Sequence, residues 1–179
     1  MIRTFAIATA TALLLGAAVL PQTATAQSES RNLAEARFDH MSINVADFEG
    51  AMAWYQNVLG FEVEVSWRVA ALDGKRLAYL VKNDARIELV AADPGADGLA
   101  PATSFPEHFG RTGYGHFCFS VEDVDAALAE LEAKGVPTFV KAETYALDGT
   151  EYERRVGFVQ DPEGNVLEFA EPLRRRSSE

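Results

Sequence analysis

Two histidines and two glutamates occupy matching places in the two halves of this 179-residue chain. Glu88 follows His40 at nearly the same separation at which Glu168 follows His116. Imidazole nitrogens together with carboxylate oxygens suit zinc, nickel, cobalt, manganese and ferrous iron. The four residues therefore predict a site for one divalent metal ion.

The neighbours of these four residues alternate between apolar and polar types, as in strands with one buried face. His40 falls opposite Ile43, and Glu88 falls opposite Leu89, so the candidates share the more polar face. Helices should cover the apolar face, which leaves the polar face to line a concave cavity between the two halves. Two carboxylates in one cavity repel each other unless a cation or a donor compensates their charge.

A different arrangement would use the same residues without a metal. The glutamates would pair with Arg86, Arg154 or Arg155, and the histidines would be hydrogen-bonded core residues. Four residues at equivalent positions with matching strand parity favour the metal site. Cys118 is on the same face, but two strand positions span about 6.6 Å. It therefore cannot replace His116 at the same ion, and we expect a small buried thiol.

The elements that position these residues follow one order twice: a strand, a helix and three strands. In the first half the alternation predicts strands over 38–46, 61–71, 76–82 and 85–92. In the second half it predicts strands over 114–121, 136–147, 154–160 and 166–170. A helix should begin after Asp47 and end at Gly60, and its equivalent should begin after Asp123 and end at Gly135.

The shift that brings His40 onto His116 also aligns positions outside the candidate ligands. The matched pairs are Val45 with Val121, Asp47 with Asp123, Ala51 with Ala127, and Met52 with Leu128. An internal duplication explains this, and each half alone would leave one sheet face bare. The sequence thus predicts an α+β domain over 38–172, made of two βαβββ modules at 38–92 and 114–172.

Four segments lie outside the modules. Residues 1–26 are typical of a signal peptide, since Arg3 precedes an apolar run that is followed by Ala24-Thr25-Ala26. The run is shorter than the roughly 20 residues of a membrane span. Residues 27–37 are a polar linker, 93–113 are a connecting loop that acts as a lid or as a plain linker, and 173–179 are a solvated basic tail. We expect a periplasmic or secreted protein.

Composition excludes some partners. The formal charge of −11 makes the chain a poor binder of nucleic acid. No later segment is long and apolar enough to span a membrane after processing. Cys118 is the only cysteine, so no disulfide forms within the chain. The expected partner is a small-molecule substrate.

Several motifs resemble those of the vicinal oxygen chelate superfamily, the glyoxalase and bleomycin-resistance group, over essentially all of 38–172. They are Asp39-His40, Trp54-Tyr55, Val58-Leu59-Gly60, Gly115-His116, Phe119-Ser120-Val121 and Asp161-Pro162-Glu163-Gly164-Asn165 before Glu168. The resemblance implies two βαβββ modules that form a cup-shaped mixed sheet around a metal ion. It also implies a homodimer.

The order His40, Glu88, His116, Glu168 resembles the ligand set of glyoxalase I at all four places. The resemblance implies a metal-dependent lyase or isomerase that acts on vicinal oxygens through an enediolate. Glu168 would be the proton-transferring base, and Glu88 mainly a ligand. A ferrous extradiol-type dioxygenase and a non-catalytic metal- or small-molecule-binding protein of the same superfamily remain the alternatives.

Two places depart from the glyoxalase I pattern. Asn44 and Ala92 stand where bacterial members have an arginine and an asparagine that contact glutathione. We therefore expect weak or absent activity on the glutathione hemithioacetal of methylglyoxal. Candidate pocket or lid residues are Trp67, Tyr79, Phe105, His108, Tyr145 and Tyr152.

Overall fold

The computed structural model describes residues 36–176. The chain divides into two units, Met1–Arg37 and Phe38–Glu179, and the second contains both modules. The boundary coincides with the predicted start of the domain. The signal peptide at 1–26 and nearly all of the linker at 27–37 lie outside the described residues, as do residues 177–179.

The first module has the predicted βαβββ order. It consists of β1 (Met41–Val45), α1 (Phe48–Asn57), β2 (Glu62–Val69), β3 (Lys75–Lys82) and β4 (Ala85–Ala91). A short 3₁₀ helix, Ala70–Leu72, joins β2 to β3. The strand order is β1-β4-β3-β2, with β1 parallel to β4 and the other pairs antiparallel.

The second module repeats the arrangement after a connecting segment that contains α2 (Phe105–Phe109). Its elements are β5 (His116–Ser120), α3 (Val124–Ala133), β6 (Thr138–Ala146), β7 (Tyr152–Gln160) and β8 (Val166–Ala170). The order is β5-β8-β7-β6, again with one parallel pair at the β5 edge. The predicted α+β fold of two βαβββ modules is confirmed, with two sheets of four and five strands.

Two segments hold more structure than the sequence indicated. The connecting loop 93–113 contains α2, and the basic tail contains β9 (Arg174–Arg175), which pairs with the first residues of β7. Arg175 Nη1 lies 2.8 Å from Glu151 Oε2, so part of the tail is paired with the second module although its side chains remain exposed. Elements as short as these do not show a hydrophobic period, which is why they were missed.

Both long helices begin where the sequence predicts. Asp47 Oδ1 accepts a hydrogen bond from Gly50 N at 3.0 Å, and Asp123 Oδ1 accepts one from Ala126 N at 2.9 Å. Each carboxylate satisfies a donor that the first turn of a helix leaves free. Gly157 lets α3 approach its sheet, since a Cβ added there would lie 2.7 Å from the side chain of Leu128.

One apolar core lies between the helices and the sheets and includes residues of both modules. Its largest fully buried side chains are Tyr55, Leu80, Leu89, Leu167, Val45, Val124 and Val159. Tyr55 and Val124 belong to the helices, and the five others are strand residues in the same cluster. The opposite, more polar faces of the strands stay available for a site.

A buried hydrogen bond ties α1 to the second module. Tyr55 Oη donates to Asp161 Oδ2 at 2.8 Å, and both residues are buried. Asp161 also accepts hydrogen bonds from the backbone of Glu163 and from the backbone and side-chain amide of Asn165, at 2.8 to 2.9 Å. This turn precedes β8, so the contact helps to fix the strand that carries Glu168. Burial beside Asp161 raises the pKa of Tyr55, which therefore stays protonated and able to donate.

We expect Tyr55→Phe to lower the free energy of unfolding by about 1–3 kcal/mol, because a buried carboxylate loses a donor. Chemical denaturation followed by circular dichroism measures the change. The matched control is Tyr145→Phe, whose hydroxyl donates to Glu143 at a more exposed position. Its effect should stay within about 0.5 kcal/mol. Equal effects of the two substitutions would contradict the assignment.

Within residues 36–176, the structure has no helix that is both long enough and apolar enough to span a bilayer.

Candidate metal centre

The first histidine–glutamate pair forms across the parallel strands β1 and β4. His40 directly precedes β1, and its Nε2 lies 3.7 Å from Glu88 Oε2. Ser42, the register partner of Glu88, donates its Oγ hydrogen to the same carboxylate oxygen at 2.9 Å. The side chains of His40 and Glu88 are 29% and 15% exposed, so both are shielded but accessible.

A carboxylate contacts the other ring nitrogen of His40. Asp39 Oδ1 lies 2.6 Å from His40 Nδ1, and Arg86 Nη1 lies 3.0 Å from Asp39 Oδ2. The hydrogen bond with His40 is the main reason that the pKa of Asp39 is lowered. An ionised Asp39 holds the imidazole proton at Nδ1 and leaves Nε2 free to bind a metal, an arrangement common in metal sites.

The second pair forms in the same way across β5 and β8. His116 Nε2 lies 3.0 Å from Glu168 Oε2, and the two side chains are 22% and 14% exposed. The hydrogen bond with His116 lowers the pKa of Glu168 and outweighs the opposing effect of burial. Glu168 is therefore ionised at neutral pH.

His108 of α2 contacts this second pair. Its Nε2 lies 3.0 Å from His116 Nδ1, and the residue is only 7% exposed. Burial, followed by the proximity of His116, lowers the pKa of His108, which favours a neutral ring. The sequence placed His108 among six aromatic pocket candidates, and nothing in its spacing singled it out.

Aromatic rings surround both pairs. The His116 ring lies 5.8 Å from Phe109 and 5.5 Å from Phe158, and Phe105 packs on Phe158 at 5.2 Å between ring centroids. The helix α2 thus covers the polar-side face of the second module next to His116. Tyr145 stacks on Phe105 at 6.2 Å, at the edge of the same cluster.

The first pair is bordered by different residues. Tyr79 lies 5.1 Å from the His40 ring, and Trp67 lies 4.8 Å from Tyr79. Tyr152, the remaining pocket candidate, lies under the Arg175 guanidinium beside β9 instead. Five of the six candidates therefore belong to the surroundings of the two pairs.

The arginines predicted as alternative partners bind other groups. Arg86 pairs with Asp39 and Glu64, Arg155 pairs with Asp125, and Arg154 donates to the backbone oxygen of Glu171. Over residues 36–176, no arginine or lysine forms an ion pair with either candidate glutamate. In this part of the chain the candidate glutamates therefore contact histidines and not arginines.

The two pairs do not meet as one four-ligand cluster. In the described part of the chain, no three of the four residues bring their ligand atoms within 4.8 Å of one another. The structure thus forms two half-sites, His40 with Glu88 and His116 with Glu168.

Three other carboxylates do lie within that distance, those of Asp123, Asp125 and Glu171. Asp123 caps α3, and Asp125 binds Arg155. Glu171 pairs with Arg174 and accepts a hydrogen bond from Val124 N. Each carboxylate therefore already has a partner within the protein.

Cys118 differs from the prediction, since it is exposed rather than buried. It lies opposite Glu168 on the neighbouring strand. Partial burial of the sulfur and the nearby carboxylate raise the pKa of Cys118 to about 12. The thiol therefore stays protonated at neutral pH and is no thiolate ligand. The sequence could not show that the side of β5 that carries Cys118 is exposed to solvent.

A cavity of about 600 Å³ lies between the edge strands β1 and β5. Its walls include Ser42, which binds Glu88, and His116, so it adjoins both half-sites. Asn44 and Ala92, the two departures from the glyoxalase I pattern, also line it. Of the four candidate ligands, His116 alone lines it.

Paired βαβββ modules, each with a histidine–glutamate pair on its polar face, define a metal-binding class of α+β domain. Residues 37–169 match the model of the Glyoxalase/Bleomycin resistance protein/Dioxygenase superfamily. The chain belongs to this superfamily, and the resemblance noted in the sequence is confirmed.

Two relatives of known activity are similar to the chain. A lactoylglutathione lyase of Pseudomonas putida is 31% identical over 83% of this chain and 91% of its own length. An ethylmalonyl-CoA/methylmalonyl-CoA epimerase of Cereibacter sphaeroides is 33% identical over 55% of this chain and 71% of its own. Similarity therefore favours an enzyme of this superfamily, as the chemistry of the site does.

A solved structure supports the fold. The fosfomycin resistance protein FosX of Listeria monocytogenes, complexed with Mn(II) and sulfate, superposes with a TM-score of 0.52. It covers 76% of this chain and 93% of its own at 16% identity. At that identity the likeness shows the shared fold alone.

Proposed function

We propose that this chain is a divalent-metal-dependent enzyme of the glyoxalase-like class, acting on a small substrate with two adjacent oxygens through an enediolate. One observation carries the proposal: the duplication places a histidine beside a glutamate twice, at equivalent strand positions and without arginine partners. The donors are imidazole nitrogen and carboxylate oxygen, which fit zinc, nickel, cobalt, manganese or iron.

We infer that two half-sites from different copies combine to hold each ion. Catalytic zinc sites usually have three protein ligands, and each half-site supplies two. Among the described strands, β1 pairs only with β4 and β5 only with β8, which leaves one edge of each free beside the cavity. A homodimer with a two-fold axis would place His40 and Glu88 of one copy against His116 and Glu168 of the other.

The roles of the residues follow from their charges and contacts. A divalent ion bound there would supply Lewis-acid polarisation of a substrate carbonyl. Glu168, ionised and 3.0 Å from His116, would take a proton from the adjacent carbon and return it to the product. Glu88, held by Ser42, would remain a ligand. Similarity to a lyase and to an epimerase supports chemistry that moves a proton beside a carbonyl.

The test of the proposal begins with elemental analysis of protein purified from its native host. A screen of small 2-oxoaldehydes, hydroxyketones and catechols follows, with deuterium incorporation from solvent and oxygen uptake as readouts. Deuterium in the product together with about one ion per chain supports the enediolate chemistry. Oxygen uptake with catechols and bound iron indicates the dioxygenase instead, and binding without turnover indicates a sequestering protein.

We expect weak or absent activity on the hemithioacetal of methylglyoxal and glutathione, because Asn44 and Ala92 line the cavity where the glyoxalase I pattern has contacts for glutathione. Absorbance of the thioester product measures the rate. The double variant Asn44→Arg, Ala92→Asn should raise it relative to wild type. A wild-type turnover of about 10 per second or more would contradict the expectation.

Export is part of the proposal. The features of residues 1–26 support it, and the mature chain would then begin at Gln27. N-terminal sequencing of the protein from the periplasmic fraction tests this, and a soluble chain that retains Met1 would contradict it.

A further inference from the structure

The two halves of the duplication hold their histidines by different outer contacts. In the first module Asp39 accepts the hydrogen bond at Nδ1 of His40. The equivalent of Asp39 in the second module, directly before His116, is Gly115, which has no side chain. In its place the ring of His108 comes from the connecting segment and lies 3.0 Å from Nδ1 of His116.

The short distance between Gly115 and His108 is consistent with His108 taking the place of an aspartate at position 115. A Cβ built on Gly115 would lie 3.8 Å from His108 Nε2, so the histidine ring lies next to the point from which an aspartate side chain at 115 would extend. We propose that His108 is the positioning residue of the second half-site, replacing the lost carboxylate and orienting His116 towards Glu168 and the metal. The inference rests on the proposed function and names a residue outside the repeat.

Hydrogen bonds fix the position of the segment that carries His108. Glu107 accepts hydrogen bonds from the backbone and hydroxyl of Thr103 at 2.9 and 2.7 Å, and Arg111 binds its other oxygen. Gln160 of β7 donates to the backbone oxygen of Ala102 at 2.9 Å. The bonds of Glu107 brace α2 within the connecting segment, and the bond from Gln160 fastens the residue range before α2 to β7, so the buried imidazole has a defined position.

A histidine can either donate a hydrogen bond to Nδ1 of His116 or accept one from it, whereas an ionised carboxylate can only accept one. In the arrangement with His116 bonded to Glu168, the His116 proton is on Nε2, and Nδ1 accepts from Nε2–H of His108. For Nε2 of His116 to act as a ligand, its proton would leave to water, and the Nε2 proton of His108 would move to Nδ1 of His116. Nδ1 of His108 would take up one proton from water, so the number of protons on the two rings is unchanged, and Nε2 of His108 would then accept from Nδ1–H of His116.

The test compares His108→Phe, which keeps an aromatic ring of similar size, with His108→Gln, whose amide can donate or accept. Zn(II) affinity is measured by competition with a chromophoric chelator. We expect His108→Phe to weaken binding by roughly 10- to 100-fold, as losses of such outer contacts do, and His108→Gln to stay within about 3-fold of wild type. Near-ultraviolet circular dichroism confirms that both variants fold.

A second variant introduces into the second module the aspartate that directly precedes the histidine in the first module. Adding Gly115→Asp to His108→Ala should recover most of the Zn(II) affinity that His108→Ala alone loses, because it restores the carboxylate that Asp39 provides in the other half. Failure of both this variant and His108→Gln to bind better than His108→Phe would overturn the proposal.

Nitrogen-15 NMR of the rings gives a readout that packing alone would not change. The chain has three histidines, so single variants assign every signal. In Zn(II)-loaded wild type, the His116 proton should be on Nδ1 and exchange slowly with water, and in His108→Phe it should exchange fast. Equal rates of proton exchange at His116 and equal Zn(II) affinity in both proteins would contradict the inference. If wild type binds no Zn(II), the proposed function fails, whereas the metal-free spectra still show whether His108 bonds to Nδ1 of His116.

Discussion

Glu168→Gln is expected to lower turnover by roughly 100-fold or more while most of the metal stays bound. The amide keeps the shape of the side chain and one oxygen ligand, but it cannot take a proton. The hydrogen bond from His116 lowers the pKa of Glu168, so the wild-type group is ionised at neutral pH. It would act as a base once its carboxylate is released from the metal ion.

Glu88→Gln is the matched control, because the duplication places Glu88 at the equivalent strand position. Ser42 donates to this carboxylate at 2.9 Å, and the side-chain oxygen of glutamine can accept the same hydrogen bond. Its cost in turnover should therefore be smaller. Metal content and the rate of deuterium exchange from solvent into substrate are measured for both variants. Exchange at the wild-type rate by metal-loaded Glu168→Gln would show that the roles are wrongly assigned.

Mixing two inactive variants is expected to restore metal binding. The first variant carries His40→Ala and Glu88→Ala, and the second carries His116→Ala and Glu168→Ala. Each alone retains two of the four ligands and should lose at least the roughly 10-fold in affinity that even outer-contact losses cause. In a dimer of one chain of each kind, one site receives all four native ligands and the other receives none.

Co-expression with two different affinity tags isolates this mixed dimer. It should bind one ion, half the content of the wild-type dimer, and regain activity in proportion. The two parental variants, purified in the same way, are the controls. A mixed dimer without metal would show that each site is completed within one chain, and a mixed species that never forms would argue against the homodimer itself.

The sequence alone determined the repeat and the residues that face the site. The alternation around His40 and His116 depends on neighbouring residues only, because successive side chains of a strand point to opposite faces. The helix starts at Asp47 and Asp123 are equally local, since a cap needs only the donors of the next turn. These features were therefore correct to within a few residues without knowledge of the tertiary structure.

Only the tertiary structure decided which groups surround those residues. His108 belongs to a short helix with no hydrophobic period, and it reaches His116 because the segment that carries it is bonded to β7. The exposure of Cys118 likewise depends on what does or does not cover the open face. No pattern of neighbouring residues encodes contacts of this kind.

The separation of the four ligands into two half-sites was also beyond the sequence. Matching parity places His40 and His116 on the polar face of their own sheets, but the distance between the strands that carry them follows from the packing of the entire core. Helix faces of both modules share that core, and Tyr55 bonds to Asp161 across it. Local periodicity therefore fixed the direction of each ligand, and the packing of the modules fixed which ligands meet.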